Sequence, residues 1–325
     1  MTAQNRWSTH WDAGHNWALI LAAGDGARLQ SLTMTAAGVS VPKQFCSVGG
    51  GASLLHAAVA RAHVVTPVER ICAVVAEHHR QWWRELPLTL PAHNIFVQPL
   101  NKGTAYGILL PLLRILHRDA DASILVLPSD HYVGNETVLA TSLQEVRAQL
   151  DRRHDSVILL GFDPEDADTE LGYIVRSGTG AVREILQFVE KPSAAAARAL
   201  IECGGLWNSF ILAARGQLLL RAFEALCPQI VADMRRIVAD ERVELDALTQ
   251  LYGQMPSLDF SRDIVQRCPL PLQALKVPRC GWSDLGTPRR VAEVTHRIRP
   301  TPRSRSNIAS HRQGFLDLAA RPPPS

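Results

Sequence analysis

The first residues with a chemical use stand in Leu21-Ala22-Ala23-Gly24-Asp25-Gly26-Ala27-Arg28-Leu29. Small residues here let a backbone approach a ligand closely, and successive N–H groups in such a loop can cradle phosphate oxygens. Arg28 adds a fixed cation able to grip phosphate through two nitrogens. The segment is neither G-x-G-x-x-G nor G-x-x-x-x-G-K-[ST], so the dinucleotide and Walker readings do not apply. Taken alone, the glycines are as readily an ordinary tight turn. Lys43, in Pro42-Lys43-Gln44-Phe45, follows fifteen residues after Arg28 and can reach the same phosphates from a second turn.

The elements that must position these groups are legible from periodicity. Trp17-Ala18-Leu19-Ile20-Leu21 is a short apolar run feeding the glycine loop, as a buried strand would. Ser53 is placed to cap a helix that starts at Leu54. Residues 71–75, 94–97, 123–127 and 156–162 read as further strands. Residues 103–117 read as a long helix, with a kink or break expected at Pro111. Strands alternating with helices predict an α/β, doubly wound, mostly parallel Rossmann-like sheet. In such sheets ligands bind beyond the C-terminal strand ends. That rule gathers the loop after Leu21, the loop after Val97 and the turn Pro128-Ser129-Asp130. The second half changes character: residues 172–189 predict an antiparallel hairpin, 194–203 a helix, 208–213 a strand, and 217–226 and 229–239 two helices.

Later segments carry a family resemblance. Gly24-x-Gly26-x-Arg28-Leu29 followed by Pro42-Lys43 resembles the signature of the sugar nucleotidyltransferases, although Pro-Lys-Gln-Phe also resembles methylerythritol phosphate cytidylyltransferases. Gln98-Pro99-Leu100-Asn101-Lys102-Gly103-Thr104-Ala105 and Leu127-Pro128-Ser129-Asp130-His131 resemble segments of the mannose-1-phosphate guanylyltransferase family. Phe188-Val189-Glu190-Lys191-Pro192, Trp207-Asn208-Ser209 and Gly281-Trp282-Ser283-Asp284-Leu285-Gly286-Thr287 follow in the family's order.

The resemblance implies a nucleotidyltransferase fold with an antiparallel sugar-binding extension. It implies in-line attack of α-D-mannose 1-phosphate on the α-phosphorus of GTP, giving GDP-mannose and pyrophosphate. Two anionic reactants must meet, so cations, positioning and a hard metal are called for. By this resemblance Asp130 and Asp284 hold Mg²⁺, while Arg28 and Lys43 neutralise the triphosphate. Lys191 holds the sugar phosphate; Gly172, Glu190 and Asn208 contact the sugar hydroxyls. Leu21, Ala22, Ala23, Gly24, Gly26, Pro128 and Ser129 border the nucleotide, and Gln98 with the backbone of Gly103, Thr104 and Ala105 faces the base. Thr104 is alternatively a plain helix cap. His131 is expected to be structural, because a phosphate nucleophile near neutral pH needs no general base. His78-His79 reads as a surface pair on a helix.

The chain also departs from the family pattern. Gln30-Ser31-Leu32 stands where a Pro-containing step is usual, and residues 34–41 are lengthened. Phe210 replaces the Gly that commonly follows Trp-Asn-Ser. Residues 261–264 match loosely. Another nucleotide, a different hexose or heptose phosphate, or a non-catalytic sugar-nucleotide-binding regulator are the alternatives.

Composition bounds the remainder. The 325 residues carry 34 basic and 31 acidic side chains, a net charge of +3. That is too weak a field to argue for nucleic acid. The cysteines at 46, 72, 203, 227, 268 and 280 form no C-x-x-C pair and read as reduced thiols. No apolar stretch approaches a membrane span and the start lacks an apolar signal core, so a cytoplasmic protein is expected. The expected division is a flexible segment 1–16, a nucleotidyltransferase domain 17–298 and a Pro/Arg-rich mobile tail 299–325, a short form with no further domain. A homodimer is left open.

Overall fold

A computed structural model of the chain describes residues 14–35, 38–152, 155–239, 245–267, 269–298 and 316–317. The strands are β1 Asn16–Ala22, β2 Ser47–Val48, β3 Ile71–Ala76, β4 Ile95–Gln98, β5 Ser123–Pro128, β6 Val157–Phe162, β7 Tyr173–Arg176, β8 Val182–Val189, β9 Leu206–Arg215, β10 Leu272–Lys276 and β11 Leu316–Asp317. The helices are α1 Leu54–His63, α2 Arg80–Trp83, α3 Thr104–Arg118, α4 Glu136–Arg152, α5 Ala194–Glu202, α6 Gly216–Leu226, α7 Pro228–Val238, α8 Leu245–Gln254 and α9 Pro288–Ile298.

Nine strands make one sheet in the order β4-β3-β1-β5-β9-β6-β10-β8-β7. β4, β3, β1 and β5 are parallel neighbours. β9 then lies antiparallel to both β5 and β6. β7 pairs with β9 as well as with β8, so the second half of the sheet closes on itself. The expected α/β sheet and the 172–189 hairpin are present, and the antiparallel share extends beyond the hairpin. The reason is β9, which enters between two strands that run the other way.

Successive strand residues point to opposite faces. Trp17, Leu19, Cys72, Val74, Ile124 and Val126 face the core covered by α3, α6, α7 and α8. Ala18, Ile20, Ala22, Ile71, Ala73 and Val75 face the core covered by α1 and α4. Burial on both faces is why these strands read as unbroken apolar runs. α1 starts where expected: the Ser53 hydroxyl accepts the His56 N–H. Of the kink or break expected at Pro111, the break is removed: α3 runs unbroken through that residue. An interior proline costs about 3 kcal/mol, and the buried Tyr106, Ile108, Leu109, Leu110, Leu112, Leu113, Ile115 and Leu116 outweigh it. Helices α4, α8 and α9, strand β10 and the π-helical turn Phe260–Val265 are additional to the sequence reading.

Cys46, Cys72 and Cys280 are buried, consistent with small core residues. Cys268 lies outside the described residues, as do 1–13 and most of the expected tail. The N-terminal boundary shifts: β1 begins at Asn16, and the His15 carbonyl accepts the Ser123 N–H at 2.6 Å. Within the tail, Leu316–Asp317 pairs antiparallel with Ser47–Val48, so that part is held. Among the described residues no helix is long and apolar enough to cross a membrane.

Gly103, ahead of α3, has φ +101 and faces the Leu258 carbonyl, which a Cβ would overlap. Gly103→Ala is therefore expected to lower unfolding free energy by about 3 kcal/mol in urea titration. Gly178→Ala is the control, because φ +52 there meets open space; it should cost about 1 kcal/mol. Equal losses at both positions would remove the steric argument.

Candidate active site

The C-terminal ends of parallel strands β1 and β5 bring the glycine loop beside Asp130. Ser129 N–H donates to the Leu21 carbonyl at 3.1 Å, locking the two turns in register. Gln44 holds the loop from beneath: its amide donates to the carbonyls of Ala22 and Gly24, both at 3.0 Å. Gly26, at φ +59, packs against Lys43.

Lys43 is 6% exposed. Its Nζ lies 2.8 Å from Asp130 Oδ2 and 2.6 Å from the Asp284 carbonyl, to which it donates. One ammonium therefore ties the turn after β5 to the loop before α9. The lengthened 34–41 segment does not displace it: Met34 and Ser40 bridge across that segment.

Asp284 is buried and paired with Arg290, whose other nitrogen is 2.6 Å from Asp168 Oδ2. The Arg290 guanidinium also lies 4.7 Å over the Trp207 ring. Burial alone would raise both Asp130 and Asp284. Lys43 and His131 for the first, and Arg290 and His131 for the second, outweigh it and hold both carboxyls below the usual range. His131 accepts from the Trp282 indole at 3.3 Å, and burial pushes its imidazole down to about 4. It is neutral and packed against an aromatic ring, which matches the expected structural role.

Arg28, Lys43, Asp130, Asp284, Glu190 and Asn208 line one cavity of about 160 Å³, together with Gly172. Arg28 and Lys191 are half exposed and converge on Glu170, at 2.9 and 3.9 Å. Gly172 leaves room for the Glu190 carboxylate, since a Cβ there would lie 2.5 Å from Oε2 and push it aside. Phe210 lines the same cavity at φ +61, a conformation natural to glycine. Among the described residues the only other non-glycine positive φ values are at Lys191 and Leu285, both beside this site.

The base-facing group lies apart from this cavity's lining. Gln98 is buried and donates to the Tyr252 hydroxyl at 3.2 Å. The Gly103 and Ala105 amides, expected to be open to a base, already donate to Asn101 Oδ1 and the Leu258 carbonyl. Thr104 does not cap α3; its hydroxyl accepts the Phe260 N–H at 2.8 Å. Asn101 joins this segment to the glycine loop by donating to Asp25 Oδ2 at 2.6 Å. The His78-His79 reading is corrected in part: both sit on the 3₁₀ turn Glu77–His79, and His79 is buried. Gln44, Glu170, Ser261 and Arg290 are site residues that the motifs did not single out. Gln44, adjacent to Lys43, and Ser261, in the loosely matching 261–264 segment, carried a local signal.

Glu190 has an orphaned buried Oε2. Burial first and Asp259 second push its carboxyl up to about 7 from 4.5, against Lys191, Arg262 and a Ser261 hydrogen bond. A raised folded value means the native state holds the proton more tightly. Its stabilising effect is full below about pH 4.5 and is lost as pH rises through about 7. His79 and His131, both lowered to about 4, slope the opposite way. The difference between two proteins therefore isolates Glu190. The stability of Glu190→Gln relative to wild type should grow across that window and then level off in urea unfolding. Parallel curves would remove the assignment.

The model of the Nucleotidyl transferase family matches residues 17–300. The alginate biosynthesis protein AlgA of Pseudomonas syringae pv. tomato is 28% identical over 282 residues, covering 82% of this chain and 56% of that protein. The mannose-1-phosphate guanylyltransferase ManC of Salmonella typhimurium is 28% identical over 291 residues, covering 83% and 58%. The chain thus spans little more than half the length of these curated relatives. A Thermus thermophilus crystal structure, described as a mannose-1-phosphate geranyltransferase, superposes with a TM-score of 0.74 at 26% identity. It covers 86% of this chain and 78% of that one. The chain belongs to the nucleotidyl transferase family.

Proposed function

We propose that the chain joins GTP and α-D-mannose 1-phosphate to give GDP-mannose and pyrophosphate, by in-line attack on the α-phosphorus. The observation that supports this best is one cavity bordered by two cations, two ionised carboxylates and a polar sugar-sized end. Arg28 and Lys43 supply the positive charge, Asp130 and Asp284 the negative, and Glu190 with Asn208 the polar end. The base and sugar identities rest on the relatives: ManC carries the guanylyltransferase name.

The donor set suits a hard divalent cation. Asp130 and Asp284 offer carboxylate oxygens only, which is the chemistry Mg²⁺ prefers. Each keeps one oxygen outside its Lys43 or Arg290 pairing. Gly286 has no Cβ to crowd Asp284 Oδ2. When bound there, Mg²⁺ would supply charge neutralisation for the triphosphate. Arg28 and the glycine-loop amides orient the triphosphate, and Lys43 faces the reacting phosphate. Lys191 takes the sugar phosphate in place of Glu170. Glu190, Asn208 and the Gly172 backbone orient the sugar. No side chain has to take a proton, since the attacking phosphate oxygen is already anionic.

Phe210 favours a second reading, in which the reaction is kept and the sugar differs. It lines the cavity beside Asn208 where glycine is usual, and its ring rests on Phe260 at 5.8 Å.

Wild-type protein with Mg²⁺, GTP and mannose 1-phosphate should release pyrophosphate. Asp130→Asn and Lys43→Ala should each lower kcat/KM by about 100-fold or more, with near-native circular dichroism. A panel of triphosphates and of hexose and heptose 1-phosphates separates the two readings. Turnover with a sugar other than mannose selects the second. No turnover with any pair overturns the transferase reading and leaves a sugar-nucleotide-binding protein.

A further inference from the structure

We propose that Asp25, His78 and His79 form a binding site for a divalent transition-metal ion of the zinc class, which clamps the glycine loop to the turn after β3. The topology makes the meeting. β1 and β3 are parallel neighbours with Leu21 opposite Val74 and Ala22 opposite Val75. Their C-terminal exits therefore lie side by side. Asp25 comes from one exit and the two histidines from the other.

The donor atoms converge. One ligand atom from each of the three residues lies within 4.8 Å of the others. His78 Nε2 is 2.7 Å and His79 Nε2 3.6 Å from the same oxygen, Asp25 Oδ1. Bonds of about 2.0–2.1 Å to a tetrahedral zinc place ligand atoms about 3.3 Å apart. These two separations reach that value by shifts well under 1 Å, and the third, between the imidazoles, lies within 4.8 Å.

A hydrogen bond accounts for His78 and leaves His79 unexplained. The His79 side chain is 8% exposed. Its Nδ1 is buried with no partner, and its Nε2 stands beyond hydrogen-bond reach of Asp25. An ion would give Nε2 the partner it lacks, while Nδ1 keeps none in either case. The Phe45 ring meets it edge-on at 6.0 Å and fixes its plane. The carboxylate is oriented as well: Asn101 donates to its second oxygen, the arrangement that commonly supports a ligating group.

Ligand chemistry sets the ion. Two imidazoles and one carboxylate suit Zn²⁺, Co²⁺ or Ni²⁺, whereas Mg²⁺ prefers an all-oxygen octahedron. Asp25 and His78 are both nearly half exposed, which gives the ion a path in and leaves a position for water. The site is thus separate in residues and in chemistry from Asp130 and Asp284. Asp25 stands between Gly24 and Gly26, so an ion here restrains the loop itself.

The test is calorimetric titration of Zn²⁺ into the full chain with excess Mg²⁺ present. One site per chain is expected, weakened by about 100-fold in His78→Ala, an exposed position that leaves folding intact. Co²⁺ should give intense visible d–d absorption in wild type that is absent from His78→Ala and from His79→Gln. Equal Zn²⁺ affinity in wild type and His78→Ala overturns the site. So does the absence of stoichiometric binding, or displacement of Zn²⁺ by Mg²⁺. None of these outcomes bears on pyrophosphate release.

Discussion

Lys43 is held where an ammonium is rarely found, 6% exposed and 2.8 Å from the Asp130 carboxylate. A buried charge is stable only when paired and hydrogen-bonded, and removing one partner of such a pair typically costs about 3–5 kcal/mol. Here the pairing joins segments 241 residues apart, because the same Nζ donates to the Asp284 carbonyl. The turn after β5, the turn carrying Lys43 and the loop before α9 are thereby fixed relative to one another. Arg290 repeats the device on Asp284 and extends it to Asp168. Two cations and three carboxylates form a network before any substrate arrives, buried except at Asp130, which opens to the cavity. Two of the three ammonium donors are committed to Asp130 and the Asp284 carbonyl, so structural and chemical duties meet at one atom.

Backbone strain gathers around that network. Lys191, Phe210 and Leu285 hold positive φ, at a cost of about 1–3 kcal/mol each. Leu285 follows Asp284 and turns its carbonyl toward Lys43, at 3.5 Å. Lys191 follows Glu190 at the end of β8. Phe210 sits in β9, close to the register shift between Leu159 and Gly161. Phe210 is held within a paired strand, and Leu285 follows the buried, ion-paired Asp284. The conformation at Phe210 explains why glycine suits the position and what a larger residue must tolerate there.

The sequence exposed the parts that repeat locally. Alternating burial on two faces made β1, β3, β5 and β6 visible as apolar runs, and the Ser53 cap marked α1. Family resemblance placed the loop, the lysines and the paired aspartates. Strand order was not visible, because nothing local says that β9 enters between β5 and β6. Contacts made by that order were equally hidden. Glu170 meets Arg28 across 142 residues, and Arg290 meets Asp168 only after α9 has docked. The Pro111 break failed for a related reason: propensity describes an isolated helix, and α3 is stabilised by packing. His79 looked like surface because its burial depends on Phe45 and on the glycine loop, neither adjacent in sequence.

Charge placement gives Glu170 a definite part in this arrangement. It gathers Arg28 and Lys191, two half-exposed cations from distant segments, onto one carboxylate. Exposed pairs of this kind contribute about 0–1 kcal/mol, because water solvates both partners well. A phosphate group carries more charge than a carboxylate and offers more acceptor oxygens, so it competes favourably for the same cations. Glu170 keeps them from spreading into solvent and yields them at little cost. Lys43 is the contrast: its ammonium is buried and its pairing is short. On the proposed reading the two kinds of cation divide the work, with Arg28 and Lys191 capturing phosphate and Lys43 fixing the geometry in which it reacts.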